Sequence, residues 1–211
     1  MTHLKSVLTL ALVGLLLVGC NNSTSENYTI HYEMRGTNPM DPNSTEEMTL
    51  LRRKLYVNKD FGVILTYPGD EESPFNMGLA QIEEFGYLDF KTQTMTNVHK
   101  WPTETLTTVE QFSDNKPKTL TEETRTILGY NCKKALYDMN GREIEVWYTT
   151  DFPLKHGTIY FGADLGFVLN MAQFEAVKID NSIPKEIQMK LPENLGKIVT
   201  HDELMKKMMG G

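Results

Sequence analysis

The sequence predicts a mainly β fold of the α+β class, and three observations predict it. Tyr28, Ile30, Tyr32 and Met34 alternate with Thr29, His31, Glu33 and Arg35 in a clean period of two, the mark of a half-buried strand. Asn140-Gly141 sits between two alternating runs and is the strongest short-range hairpin signal a chain can carry. Between and beyond these lie further short strand-like runs, while helical patterns are few and short. Such a succession reads as an antiparallel sheet.

The elements follow in order. After the first strand, Met48 to Val57 and Phe61 to Tyr67 read as strands around the turn-like Asn58-Lys59-Asp60. Ser73-Pro74 offers an N-cap followed by proline at the first helical position, opening a short helix toward Phe85. Phe75, Leu79 and Ile82 would form its apolar stripe. Tyr87 to Phe90 and Met95 to Trp101 form a strand pair around Lys91-Thr92-Gln93-Thr94. Thr103 to Phe112 fits a helix or a strand, its threonines weakening the helical case. Thr158 to Phe161, Phe167 to Met171 and Phe174 to Ile179 supply the last strands, punctuated by Gly157, Gly162 and Gly166. Thr200 and Glu203 make a capping box before Leu204, Met205, Met208 and Met209, so a short amphipathic helix closes the sequence.

A two-residue loop at Asn140-Gly141 fixes the register of its hairpin. Met139 then faces Arg142, Tyr137 faces Ile144, Ala135 faces Val146 and Lys133 faces Tyr148. The other face pairs Lys134 with Trp147, Leu136 with Glu145 and Asp138 with Glu143. The last pair sets like charges opposite each other, which is mildly unfavourable and leaves room for a bulge.

The N-terminus is of another kind. Lys5 precedes an apolar run from Val7 to Val18, well short of the roughly 20 residues a membrane span needs. The run ends in Leu17-Val18-Gly19-Cys20, which resembles the bacterial lipobox. The resemblance implies cleavage between Gly19 and Cys20 and attachment of lipid to the Cys20 thiol, with two or three acyl chains giving a stable anchor. The expected organisation is a signal peptide over 1–19, a lipidated cysteine with a polar tether over 20–27, and one β-rich domain over 28–211. Asn21, rather than an aspartate, after the cysteine favours the outer membrane facing the periplasm.

The 211 residues carry a net charge of −7 without basic clusters, which argues against nucleic acid as a partner. With Cys20 committed to lipid, Cys132 has no partner for a disulfide. A half-buried structural cysteine is expected there, with a redox thiol as the weaker alternative.

The run Glu123-Thr124-Arg125-Thr126-Ile127-Leu128-Gly129-Tyr130-Asn131-Cys132-Lys133-Lys134-Ala135, followed by Glu145-Val146-Trp147-Tyr148-Thr149, resembles the signature of the GLPGLI family and related bacterial envelope proteins. Similarity extends more weakly through Leu191-Pro192 and Ile198-Val199-Thr200. The name-giving motif is altered to Gly162-Ala163-Asp164-Leu165-Gly166, without its proline. The resemblance implies the half-barrel of the outer-membrane lipoprotein carriers, a strongly curved antiparallel sheet around an apolar cavity with a few short helices. Whether that cavity is empty or filled stays open. No function attaches to the family, so it brings no catalytic residues.

Catalytic motifs are missing: there is no G-x-S-x-G elbow, P-loop or H-E-x-x-H. His31, His99, His156 and His201 have no local metal spacing. Asp138-x-Asn140-Gly141 lacks the rest of a calcium-ligand series and reads as a turn. No enzyme, metal or cofactor is expected. Two functions remain. One is a lipid-anchored module holding an apolar or acyl ligand in the curved sheet. The other is an interaction or structural lipoprotein that binds an envelope protein through an exposed aromatic patch, for which Trp101 and Trp147 are candidates.

Overall fold

The computed structural model describes residues 26–38, 43–71, 73, 83–112, 116–139, 141–156 and 165–208. Strands follow one another as β1 (Tyr28–Thr37), β2 (Glu47–Val57), β3 (Phe61–Pro68), β4 (Glu83–Asp89), β5 (Thr94–Lys100) and β6 (Thr105–Gln111). They continue as β7 (Thr119–Ile127), β8 (Tyr130–Met139), β9 (Arg142–Thr149), β10 (Phe167–Met171), β11 (Phe174–Asp180) and β12 (Lys197–Ile198), and α1 (His201–Met208) follows. All twelve strands join one sheet in the order β12-β6-β5-β4-β3-β2-β1-β11-β10-β9-β8-β7. Neighbours run antiparallel except β12, which lies parallel to β6. Apart from β12, which adds to β6 at one edge, chain order is kept on both sides of β1, and the long-range closure at the centre is β1 with β11, where Thr29 pairs with Asp180 and His31 with Lys178.

Several sequence expectations meet the structure directly. The β8–β9 register is the one the Asn140-Gly141 loop dictates, from Met139 opposite Arg142 to Lys133 opposite Tyr148, with no bulge. The Asp138–Glu143 conflict is relieved locally. Gly141 N–H donates to Asp138 Oδ1 at 2.8 Å, and Lys118 Nζ lies 3.5 Å from Glu143. Asn58 Oδ1 accepts from the Asp60 and Phe61 amides and shapes the β2–β3 turn as expected.

Other expectations change. Thr103 to Phe112 is resolved as strand β6, because β5 offers a full antiparallel partner from Thr94–Gln111 to Lys100–Thr105. The helix expected from Ser73 does not reach Phe85: Glu83 to Phe85 already belong to β4. Its stripe residues Phe75, Leu79 and Ile82 lie outside the described residues, as do the strand expected at 158–161, the Gly19–Cys20 processing point and the whole of 1–25. Among the described residues α1 is the single α-helix, where the sequence predicts a few, and no helix is long and apolar enough to cross a membrane.

Adjacent strand residues point to opposite faces, so one hairpin serves two clusters. Ala135, Tyr137, Val146 and Tyr148 pack with Val168. Cys132 and Trp147 join a larger cluster that reaches Ile30, Tyr32, Leu55, Leu88, Phe167 and Leu169. Full burial of a side chain such as Leu55 or Phe167 contributes about 1.5–3 kcal/mol. Tyr32 is buried with them and its hydroxyl donates to the Val168 carbonyl at 2.8 Å, tying β1 to β10 across β11. The capping box of α1 forms, with Thr200 N–H donating to Glu203 Oε2 at 2.8 Å and Glu203 N–H to Thr200 Oγ1 at 3.2 Å. Leu204 docks on Leu106 and Val199, whereas Met205 and Met208 are exposed.

Candidate functional site

Strand alternation builds one face of β2–β5 from aromatic and cationic side chains. Lys54 and Tyr56 on β2 stand beside Leu65 and Val63 on β3, which face Phe85 and Tyr87 on β4. On this face Val63 and Tyr56 are buried, and Tyr67, Phe85 and Tyr87 are half-buried. The Phe85 and Tyr87 rings stack at 6.4 Å, and Phe61 approaches Tyr87 at the same separation. Lysines cap both ends of the row. Lys54 Nζ lies 5.6 Å from the Tyr67 ring and Lys100 Nζ 4.5 Å from the Phe85 ring. Burial raises the Tyr56 and Tyr87 phenols, so both remain neutral hydroxyls at physiological pH.

A polar cleft of about 410 Å³ adjoins the row and shares Lys54 and Tyr56 with it. His31 Nε2 is 2.8 Å from Asp180 Oδ2, and Lys178 Nζ is 2.8 Å from Asp180 Oδ1. The Lys178 hydrogen bond, then that of His31, holds the Asp180 carboxyl below the usual carboxylate range. Thr29 Oγ1 donates to the Ser182 carbonyl at 2.7 Å and pins the segment after β11 against β1. The cleft therefore depends on the β1–β11 closure.

The far end of the row is fixed by a corner at Gly69-Asp70. Asp70 accepts from the Thr49 amide at 2.8 Å and from Arg52 Nη2 at 2.7 Å, and Arg52 Nη1 donates to the Gly69 carbonyl at 2.6 Å. The Thr49 and Arg52 bonds lower the Asp70 pKa. A side chain at residue 69 would run into the Thr49 carbonyl, so only glycine lets β3 leave here.

The tryptophans singled out from sequence do not form an exposed patch. Trp147 is buried, because Arg125 covers its ring at 4.4 Å and Lys134 approaches at 5.8 Å. Lys134 is held there by Glu123 and Glu145 at 3.1 and 3.0 Å, and these contacts raise its pKa, Glu145 foremost. Trp101 is half-buried against the α1 cluster. Cys132, expected half-buried, is fully buried and free, and burial pushes its thiol pKa up, away from reactive thiolate chemistry. Among the described residues, no group of three or more His, Cys, Asp or Glu side chains is placed to hold a metal ion.

His99 is buried beside Trp101, with its Nδ1 lacking a hydrogen-bond partner. Burial lowers its pKa, while Glu84 opposes and His201 reinforces the shift. An unfolded chain takes up this proton first, near the ordinary imidazole value of about 6.5. Stability is thus full above about pH 6.5 and falls as pH drops through that value toward the folded pKa. Chemical denaturation at pH 7.5 and 5.0 is expected to show a smaller acid loss for His99→Gln than for the wild type. An equal loss in both would assign the effect elsewhere.

Sequence reasoning missed the aromatic row and the cleft. Leu65-x-Tyr67 and Phe85-x-Tyr87 do carry the period-two signal, but their juxtaposition is made by β3–β4 pairing. His31 and Asp180 are 149 residues apart and meet through β1–β11.

These features define a class: a β domain on one open sheet, with an aromatic and polar face and a buried apolar cluster. The family model of the N-glycanase peptide N-terminal domain matches residues 83–205, more than half of the sequence, and the chain belongs to that family. It is a different family from the GLPGLI proteins that the Thr121–Thr150 run resembles. Solved structures with this fold include PNGF-II in space group C2, at 24% identity and a TM-score of 0.58, covering 87% of this chain and 32% of that one. PNGF-II in space group P21 gives 23% identity and a TM-score of 0.59, covering 87% and 33%. The chain thus spans about a third of the length of those structures. No curated protein matches it.

Proposed function

We propose that this protein is a lipid-anchored, non-catalytic binding module of the bacterial envelope that takes a glycan-bearing polypeptide on the aromatic face of β2–β5. The observation that carries the reading is that face: half-buried rings beside a cleft of converging polar groups. Flat rings accept the apolar side of a sugar, and His31, Asp180 and backbone groups suit its hydroxyls. Membership of an N-glycanase N-terminal family supports a glycan-bearing partner. The acidic charge and lack of basic clusters argue against nucleic acid.

This is the partner-binding alternative rather than the acyl carrier. An acyl chain needs an apolar cavity. In the cleft at His31, an acyl chain would have to desolvate the polar groups of Thr29, His31, Lys54, Asp180 and Asn181. The curved half-barrel belongs to this reading as the shape that presents the face, and the GLPGLI-like run as kinship among envelope proteins. Cys20 supplies the anchor and Gly19 the cleavage point, with the outer membrane facing the periplasm as the site of action. Metabolic labelling with a palmitate analogue is expected to mark the wild type and not Cys20→Ser; label on both would remove the anchor.

Calorimetric titration of the full chain in detergent with an N-glycopeptide tests the binding. Saturable binding is expected, weakened about three- to tenfold by Tyr67→Ala or Phe85→Ala, the range for one aromatic contact. No saturable binding, or equal binding of the unglycosylated peptide, would contradict the proposal.

A further inference from the structure

We infer that the glycan taken by this face carries a carboxylate sugar, and that Lys54 is the residue that selects it. The inference rests on the glycan-binding reading above and adds the chemical class of the ligand.

Charge bookkeeping in the cleft leads to Lys54. Asp180 already holds Lys178 at 2.8 Å and His31 at 2.8 Å, so those partners neutralise one another. Glu186 acts on Tyr56 from the neighbouring segment, but more weakly than Lys54 does. Among the described residues, no carboxylate lies within 4.0 Å of the Lys54 ammonium, which lies 5.6 Å from the Tyr67 ring. A second ammonium, Lys100, stands over Phe85 at 4.5 Å on the same face. Cations thus sit at both ends of an aromatic row in a protein of net charge −7. A neutral sugar would leave Lys54 unused. A sugar carboxylate in the cleft meets it as a charge-assisted pair, while the ring of the same or the next sugar lies on Tyr67.

The anion must come with a sugar attached, because the aromatic row is part of the site. This separates the inference from adventitious capture of a small anion. Arg52, a further cation on β2, is committed to Asp70 at 2.7 Å and to the Gly69 carbonyl, so it does not substitute for Lys54.

The test titrates the full chain in detergent with a sialylated glycopeptide, its desialylated counterpart and inorganic phosphate. The sialylated form is expected to bind about tenfold more tightly than the desialylated one, as one charge-assisted pair provides. That preference should vanish in Lys54→Met, persist in Lys54→Arg and shrink at high salt. Thermal unfolding of each variant checks that the fold is kept. Equal affinity for the two glycopeptides, or a preference kept by a folded Lys54→Met, overturns the inference and leaves glycan binding intact. Phosphate competing at the same concentration as the sialylated form reduces the site to an anion trap and overturns it too. Binding of neither glycopeptide ends both readings.

Discussion

Phe152→Ala is expected to cost about 3–5 kcal/mol of folding stability, the range for truncating a buried aromatic ring. Phe152 belongs to no strand, yet it is 4% exposed and ties together parts of the sheet that are distant in sequence. Its ring lies 4.1 Å from Phe167 at the start of β10, 4.8 Å from Tyr28 at the start of β1 and 5.4 Å from Tyr130 at the start of β8. Truncation would leave three rings around a void, and strand ends tethered by hydrogen bonds cannot collapse into it. Phe152→Leu keeps most of the volume and is expected to cost less than about 1.5 kcal/mol. Denaturant titration of both variants checks this. A loss under 1 kcal/mol for the alanine variant would mean that the ring cluster is peripheral to the core.

Gly166→Ala is expected to cost about 2–5 kcal/mol, combining a backbone penalty with a steric one. Gly166 has φ of +121°, a region L-residues rarely adopt, and a Cβ there would lie 2.5 Å from the Thr149 carbonyl oxygen. The next residue, Phe167, pairs with Thr149 and packs its ring against Phe152, so relieving the clash would shift the start of β10. Gly141→Ala is the control. It too has positive φ, +78°, but open space around its Cβ, so only the backbone penalty of about 1 kcal/mol applies. Equal losses at the two positions would remove the steric argument. Because Phe167 links Phe152 to Gly166, the Phe152→Ala and Gly166→Ala losses should not add.

Local structure was legible wherever a single residue pattern decides it. The Asn140-Gly141 hairpin could be written down to the opposing pairs, since a two-residue loop leaves one register. Tyr28 to Met34 could be assigned its buried side from alternation alone. The β7–β8 turn was not legible. It is made by Leu128-Gly129 with φ of +50° and +86°, and leucine gives no signal for the left-handed conformation it adopts there. Thr103 to Phe112 fits a helix or a strand in sequence because its strand identity comes from pairing with β5. The candidate face needed two contacts that no local window contains: Leu65 with Phe85, and Thr29 with Asp180. The tryptophans misled for a related reason. An aromatic side chain on a strand reads as exposed or buried only once its covering residues are known, and Arg125 covers Trp147 from β7, two strands away.

A glycan-binding face on β2–β5 is best tested by amide-resolved NMR of the full chain during glycopeptide titration. Saturable shift changes are expected at Lys54, Tyr56, Tyr67, Phe85 and Tyr87 and around Asp180, with Leu204 of α1 and Thr124 of β7 unmoved. Changes centred on α1 or β7, or none at saturating ligand, would contradict it.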